Sequence, residues 1–293
     1  MKAPKISIIT INYKQPWVTC ELLDSIKKLS YTNLETIVVD NGQLYDDSIL
    51  YKHHLPTIKV INSEVNLGFA GANNLGIEHA TGDYILLLNN DTEIENGVLE
   101  SLLEVLQDES VGAVSPVLRY FEAPEKVQFA GFTEINRITG RNQLIQEVPT
   151  LSVADTPYFH GAAVMISRRV IDQCGAMPSD YFLYYEELDW SVIIRKAGYQ
   201  LKVCTEVSVL HKESVTTGKN SPLKVYYQNR NRVVFMNRHA RPFASLVFNL
   251  FYYGISVPLN TARHAIKGEK AHISALYRAC NHATFQKQMG MQF

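Results

Sequence analysis

Tyr84-Ile85-Leu86-Leu87-Leu88-Asn89-Asn90-Asp91 sets five bulky, mostly aliphatic residues against three polar ones. A run this short and this apolar fits a strand buried on both faces, and the abrupt change at Asn89 marks where the chain leaves the sheet. The same pattern recurs upstream in Ile6-Ser7-Ile8-Ile9-Thr10-Ile11, in Glu35-Thr36-Ile37-Val38-Val39-Asp40 ahead of the turn signal Asp40-Asn41-Gly42, and in Ile58 to Ile61. Segments of helical period lie between and after them. Val18 to Leu29 places Leu22, Leu23, Ile26 and Leu29 on one face, a loop and helix cover Asn66 to His79, and Val98 to Gln107 follows Asp91. Strands alternating with helices predict right-handed crossovers and an α/β fold with a doubly wound, mainly parallel sheet flanked by helices.

The second half is less regular. Val111 to Arg119, Gly161 to Ser167 and Leu201 to Val209 read as strands, Arg169 to Cys174 and Glu187 to Ala197 as helices, and Phe121 to Thr156 as a polar hairpin excursion. From Ser221 onward the pattern is helical and rich in aromatics. The chain of 293 residues is 46% hydrophobic and 19% charged, which supports a sizeable core and excludes global disorder. A formal net charge of -1 gives no general pull toward nucleic acid, so an anion site must be local. The four cysteines (Cys20, Cys174, Cys204, Cys280) are far apart and form no CxxC pair, as in a reducing compartment. Met1 to Lys5 lacks the basic-then-apolar pattern of a signal peptide. The expectation is a cytoplasmic protein.

In open α/β sheets, ligands bind beyond the carboxyl ends of the strands. Thr10, Asn12, Tyr13, Asp40 and Asn89-Asn90-Asp91 all sit at such ends, and a carboxylate at the mouth of a buried strand suits a hard divalent cation. Asp91 could equally cap the next helix. Asn66-Leu67-Gly68-Phe69-Ala70-Gly71-Ala72-Asn73-Asn74 opens a helix whose free N–H groups would face an anion, or else it is a plain loop-helix junction. Glu186, Glu187 and Asp189 crowd beside aromatics, where one carboxyl could act as a general base or all three could simply offset a helix dipole. His211 ends a strand and is a candidate metal ligand.

In this order the clusters resemble glycosyltransferase family 2, with its GT-A fold, and within it the rhamnosyltransferase-type enzymes of bacterial cell-surface polysaccharide synthesis. The resemblance spans residues 5 to 240. It implies a catalytic domain over 1–240, with a nucleotide-sugar half to about residue 110 and an acceptor half over 111–240, and a helical extension over 241–293. It implies inverting transfer of a sugar, rhamnose from dTDP-rhamnose for example, from a dTDP- or UDP-sugar to a glycan or lipid-linked saccharide, with Mg²⁺ or Mn²⁺ as cofactor. Asp40 would bond the nucleotide base, with Thr10, Asn12 and Tyr13 in the same pocket. Asn66, Gly68, Phe69, Asn73, Asn74 and Asn90 would border the ribose and diphosphate. Asp91, Asn89 and His211 would hold the metal. Glu187 would be the base, flanked by Glu186 and Asp189, and His160, Arg230 and Asn231 would meet the acceptor. Two positions depart from the family pattern: Asn-Asn-Asp replaces aspartate-any-aspartate, and a glutamate stands at position 187 where an aspartate is usual.

Arg241 to Asn260 is apolar and uncharged after Arg241, but Asn249, Gly254, Ser256 and Pro258 interrupt it. An interfacial helix on the inner face of the cytoplasmic membrane, with Arg263, His264, Lys267 and Lys270 toward headgroups, fits better than a span, and a homodimer contact is the alternative. Two other functions compete, a nucleotide-sugar-binding module without activity and a nucleotidyltransferase. The latter should carry a basic Gly-rich loop after the first strand, where Asn12-Tyr13-Lys14-Gln15-Pro16 has no glycine.

Overall fold

The computed structural model describes residues 3–42, 45–212 and 221–288, with side chains as far as residue 283. The elements run β1 (Ile6–Asn12), α1 (Pro16–Ile26), β2 (Leu34–Asn41), α2 (Ser48–His54), β3 (Lys59–Ser63), α3 (Gly68–His79), β4 (Tyr84–Leu88), β5 (Thr92–Glu93), α4 (Val98–Val105), β6 (Val111–Tyr120), β7 (Ala123–Phe129), β8 (Val153–Asp155), β9 (Ala163–Ser167), α5 (Arg168–Cys174), α6 (Glu186–Lys196), β10 (Gln200–His211), α7 (Pro222–His239), α8 (Pro242–Phe251), α9 (Val257–Ile266) and α10 (Lys270–Gln288). The chain divides into two compact units: Met1–Thr133, Leu144–Phe182 and Glu186–Thr216 form the first, and Glu134–Gln143, Leu183–Tyr185 and Thr217–Phe293 the second. The domain boundary expected at residue 240 therefore falls inside the second unit, which also takes α7.

The first unit is built on one sheet of order β3-β2-β1-β4-β9-β6-β10-β5, with β7 on β6 and β8 on β10. Side chains alternate across it. Ile6, Ile8, Val38, Leu86 and Leu88 pack on one face with Leu22 and Leu23 of α1 and Leu99 and Leu102 of α4. Ile9, Ile37, Val39, Ile85 and Leu87 pack on the other with Ala70 and Ala72 of α3, Val170 of α5 and Trp190 and Ile194 of α6. Helices on both faces are why these strands read as unbroken apolar runs. The α/β architecture is as expected. The parallel arrangement holds from β3 to β4, and β9 then runs antiparallel to both β4 and β6, so the sheet as a whole is mixed. The short α2 was not foreseen: it is seven residues long, lacks a side-chain cap and buries only Tyr51.

The second unit is helical. Pro242–Ile266 continues as one helix through a π turn at Tyr252–Ser256. That turn lies just ahead of Pro258, whose ring would otherwise strike the carbonyl of Gly254. The expected interruption is thus absorbed within the helix. By length and composition alone it could cross a membrane, and 22% of its most apolar stretch is buried.

Candidate active site

Sheet topology brings the acidic strand end and the histidine together. After β4 the chain turns at Asn89, whose carbonyl accepts from Thr92 N (3.2 Å) and Thr92 Oγ1 (2.6 Å). β5 then pairs antiparallel with the end of β10, setting Thr92 opposite His211, and Lys212 N donates to the Asp91 carbonyl at 2.8 Å. Asp91 (5% exposed) and His211 (6%) thereby face each other, with Oδ1 and Nε2 3.2 Å apart. Helix α4 begins only at Val98, so Asp91 caps no helix.

Asp91 Oδ1 is buried and makes no hydrogen bond. His211 Nδ1 donates to Gln128 Oε1 at 2.8 Å, and Nε2 is turned toward Asp91. This is the outer-sphere support a metal-binding imidazole needs. A carboxylate oxygen that makes no hydrogen bond among the described residues, an imidazole nitrogen 3.2 Å from it and a partly exposed Asn89 fit a divalent cation. Sequence reasoning missed Gln128, which lies in β7 within what read as a polar excursion.

The neighbouring strand ends carry a different network. Asn12 and Asp40 are register partners in β1 and β2, and Asn12 Nδ2 donates to Asp40 Oδ1 at 2.8 Å. Tyr51 Oη donates to Asp40 Oδ2 (3.3 Å), and burial, with the nearby Asp40 charge, pushes the Tyr51 phenol well above its usual range. Asn12 Oδ1 accepts from Gln15 N (3.1 Å) and Thr19 Oγ1 (3.2 Å), and Thr19 accepts from Asn90 Nδ2 (3.1 Å). Thr10, Asn12 and Asp40 are wholly buried, while Tyr13 keeps partial exposure.

At the start of α3 three of the N–H groups that open the helix are taken. Leu67 N donates to Asn41 Oδ1 (2.8 Å), Gly68 N to Asn66 Oδ1 (2.9 Å) and Phe69 N to the Phe182 carbonyl (2.7 Å). Gly68 has φ +72°, and a Cβ there would lie 2.3 Å from the Phe182 oxygen, so glycine is required twice over. The Asn74 amide exchanges two hydrogen bonds with the Met177 backbone (2.8 and 3.0 Å). Asn73 is buried and donates to the Phe69 carbonyl at 3.1 Å. Asn66 and Phe69 retain exposure.

Glu186, Glu187 and Asp189 occupy the first turn of α6, so the helix-dipole reading of this cluster holds whatever else it does. Glu186 and Asp189 are buried, and Asp189 Oδ2 accepts from Tyr181 Oη at 2.7 Å. Glu187 is partly exposed, and its Cβ lies beside Gly161. The chain enters α6 under strain: Phe182, Tyr184 and Tyr185 have φ of 67°, 68° and 79°, a region non-glycine residues rarely adopt.

His160 packs against Phe129, against Phe132 with the rings parallel, and against His211 at 6.2 Å between ring centroids. Burial, with the adjacent His211, pulls its pKa down to about 3. The ring is therefore neutral at physiological pH. Its Nδ1 accepts from Ala162 N (3.1 Å), which leaves Nε2–H as a donor. Arg230 and Asn231 belong to the second unit.

Residues 7–175 match the sequence model described as Glycosyl transferase family 2. The Haloferax volcanii low-salt glycan biosynthesis hexosyltransferase Agl10 is 27% identical over 245 residues, 79% of this chain and 75% of that protein. The Shigella flexneri dTDP-rhamnosyl transferase RfbF is 22% identical over 272 residues, 85% of this chain and 87% of the relative. A mannosyltransferase from Pyrobaculum calidifontis, solved in complex with GDP-Man and Mn²⁺, shares the fold with a TM-score of 0.59 and 18% identity, covering 99% of this chain and 80% of that one.

Proposed function

The chain belongs to glycosyl transferase family 2, and on that premise we propose that it is an inverting, metal-dependent hexosyltransferase acting on a saccharide carried by a lipid diphosphate. The observation that carries this reading is the buried Asp91–His211 pair with its carboxylate oxygen lacking a donor. Asp91 and His211 would hold a divalent ion, with Asn89 beside them and Gln128 orienting the histidine. Mg²⁺ or Mn²⁺ bound there supplies positive charge to the leaving diphosphate. Carboxylate favours either ion, and the imidazole inclines the site toward Mn²⁺.

Tyr13, Asn66 and Phe69 present the exposed surface for the nucleotide and ribose. Thr10, Asn12, Asp40 and Asn90 shape that surface from beneath. Glu187 takes the proton from the attacking acceptor hydroxyl, because Glu186 and Asp189 are buried. The neutral His160 donates through Nε2–H to a sugar hydroxyl. The rhamnose assignment draws on the likeness to the Shigella flexneri relative, whose name gives a dTDP-rhamnosyl donor. Glu187→Gln should lower transfer by two or more orders of magnitude, about what a positioned general base contributes, while donor binding persists. Near wild-type turnover would remove Glu187 from the role.

A lipid-linked acceptor gives the C-terminal helix a place at the membrane surface. Phe243, Leu246, Leu250 and Tyr253 recur along one side of Pro242–Ile266 and are exposed, with Arg263, Lys267 and Lys270 beyond. Leu250→Asp should reduce flotation with anionic vesicles. Unchanged flotation together with a smaller particle size would point to a dimer contact instead.

A further inference from the structure

The second unit concentrates guanidinium groups, and they differ in what they touch. Arg230 and Asn231, expected at the acceptor, are engaged with the protein itself. Arg230 Nη1 donates to Asn231 Oδ1 at 2.7 Å, and Asn231 Nδ2 donates to the carbonyls of Leu183 (2.7 Å) and Tyr184 (2.8 Å). Asn231 is wholly buried and holds that strained segment. Arg232, the next residue, is 4% exposed. Its Nη2 donates to Asn229 Oδ1 (2.6 Å) and its guanidinium lies 4.9 Å from the Tyr252 ring centroid, but its Nε is buried with no acceptor.

The turn of Glu134–Gln143 comes up against this arginine. Gly140 has φ +64°, and a Cβ there would lie 3.1 Å from Arg232 Cγ. Arg141 follows and keeps solvent access. Among the described residues, the charged and titratable groups felt by Arg141 are Arg232, Tyr185 and Tyr252, with no carboxylate among them. Partial burial and Arg232 pull its pKa below the usual value. Asn142, one residue on, buries an Nδ2 that also lacks an acceptor. Two guanidiniums that repel each other, one carried by a turn packed on Arg232, and two buried donors without acceptors make an arrangement that is costly until an anion enters. The planar fork of arginine matches phosphate oxygens.

We propose that Arg141, Asn142 and Arg232 bind a phosphate of the acceptor, the group that joins its saccharide to the lipid. The assignment rests on the transferase reading above, and it moves the anion-binding role from Arg230 and Asn231 to residues with donors to spare. The test uses the full chain and two acceptors with the same saccharide, one on a short alkyl diphosphate and one on an uncharged alkyl group. Arg141→Gln should raise KM for the diphosphate acceptor about ten- to a hundredfold, the worth of a charge-assisted hydrogen bond. The uncharged acceptor's KM, and kcat, should move far less. Arg232→Lys keeps the charge, removes the fork and should shift KM the same way.

An unchanged KM for the diphosphate acceptor in both variants overturns the proposal, as do equal rises for both acceptors. Weaker binding of Arg141→Gln to phosphatidylglycerol vesicles with an unchanged diphosphate KM would assign the cluster to headgroups and also overturn it. If the wild type neither transfers sugar nor hydrolyses donor, the transferase reading has failed. The cluster is then judged by titrating the short alkyl diphosphate into metal-free protein. Binding lost in Arg141→Gln sustains the site, and equal binding removes it.

Discussion

Asp40, in the last pairs of β2, and Asp91, just beyond β4, are both buried carboxylates at the carboxyl ends of parallel strands in one sheet, yet they are built for different work. Asp40 Oδ1 accepts from Asn12, a register partner, and Oδ2 from Tyr51. Asp91 Oδ1 has an imidazole beside it and no donor. Burial at a strand end therefore does not by itself mark a ligand site. What marks it is the polar atom the fold leaves without a partner, because such an atom costs stability that only a ligand returns.

The sharpest way to break this contrast is at Asp91. Asp91→Asn should abolish the rise in melting temperature that Mn²⁺ gives the wild type and lower sugar transfer by about three orders of magnitude, the scale of losing an electrostatic stabiliser of the transition state. The metal-free variant should melt no lower than the wild type. Full metal-dependent transfer would remove the metal role. Asp40→Ala should do the reverse, losing about 2–3 kcal/mol in urea unfolding by stranding Asn12 and Tyr51, whether or not metal is present. An Asp40→Ala protein of native stability but without donor binding would instead return Asp40 to the ligand. Gln128→Ala should give the smallest effect, about a tenfold loss in Mn²⁺ affinity by isothermal titration with little change in unfolding, as outer-sphere partners do. No change would show that His211 needs no help with its tautomer.

The contrast also separates what the sequence could disclose from what it could not. Tyr84 to Leu88 and Ile6 to Ile11 showed their burial directly, because a strand covered on both faces is mostly apolar, with only the small Ser7 and Thr10 to place. Asp91 was legible as a strand-end carboxylate, and Glu187 as one of an acidic trio. Its partial exposure, against buried Glu186 and Asp189, is a tertiary property that no local pattern carries. Gln128 and Tyr51 were illegible for the same reason: each lies in an unremarkable segment and matters only through a partner, 83 residues away for Gln128 and 11 for Tyr51. The backbone partners of Asn73 and Asn74 were illegible too, because an asparagine beside glycines looks the same whether it faces a ligand or ties down a neighbouring backbone. The antiparallel β9 escaped notice since direction leaves no trace in a strand's composition.

The left-handed aromatics at Phe182, Tyr184 and Tyr185 carry a consequence for how this protein could be changed. Asparagine or glycine at 184 or 185 would relieve backbone strain on the order of 1 kcal/mol per position. A library sorted only for heat resistance would therefore favour such replacements. It would also loosen the entry to the helix that bears Glu187, so robustness and turnover would be selected in opposite directions. Sorting the same library once by melting temperature and once by sugar transfer would expose that conflict as two lists that disagree at these positions.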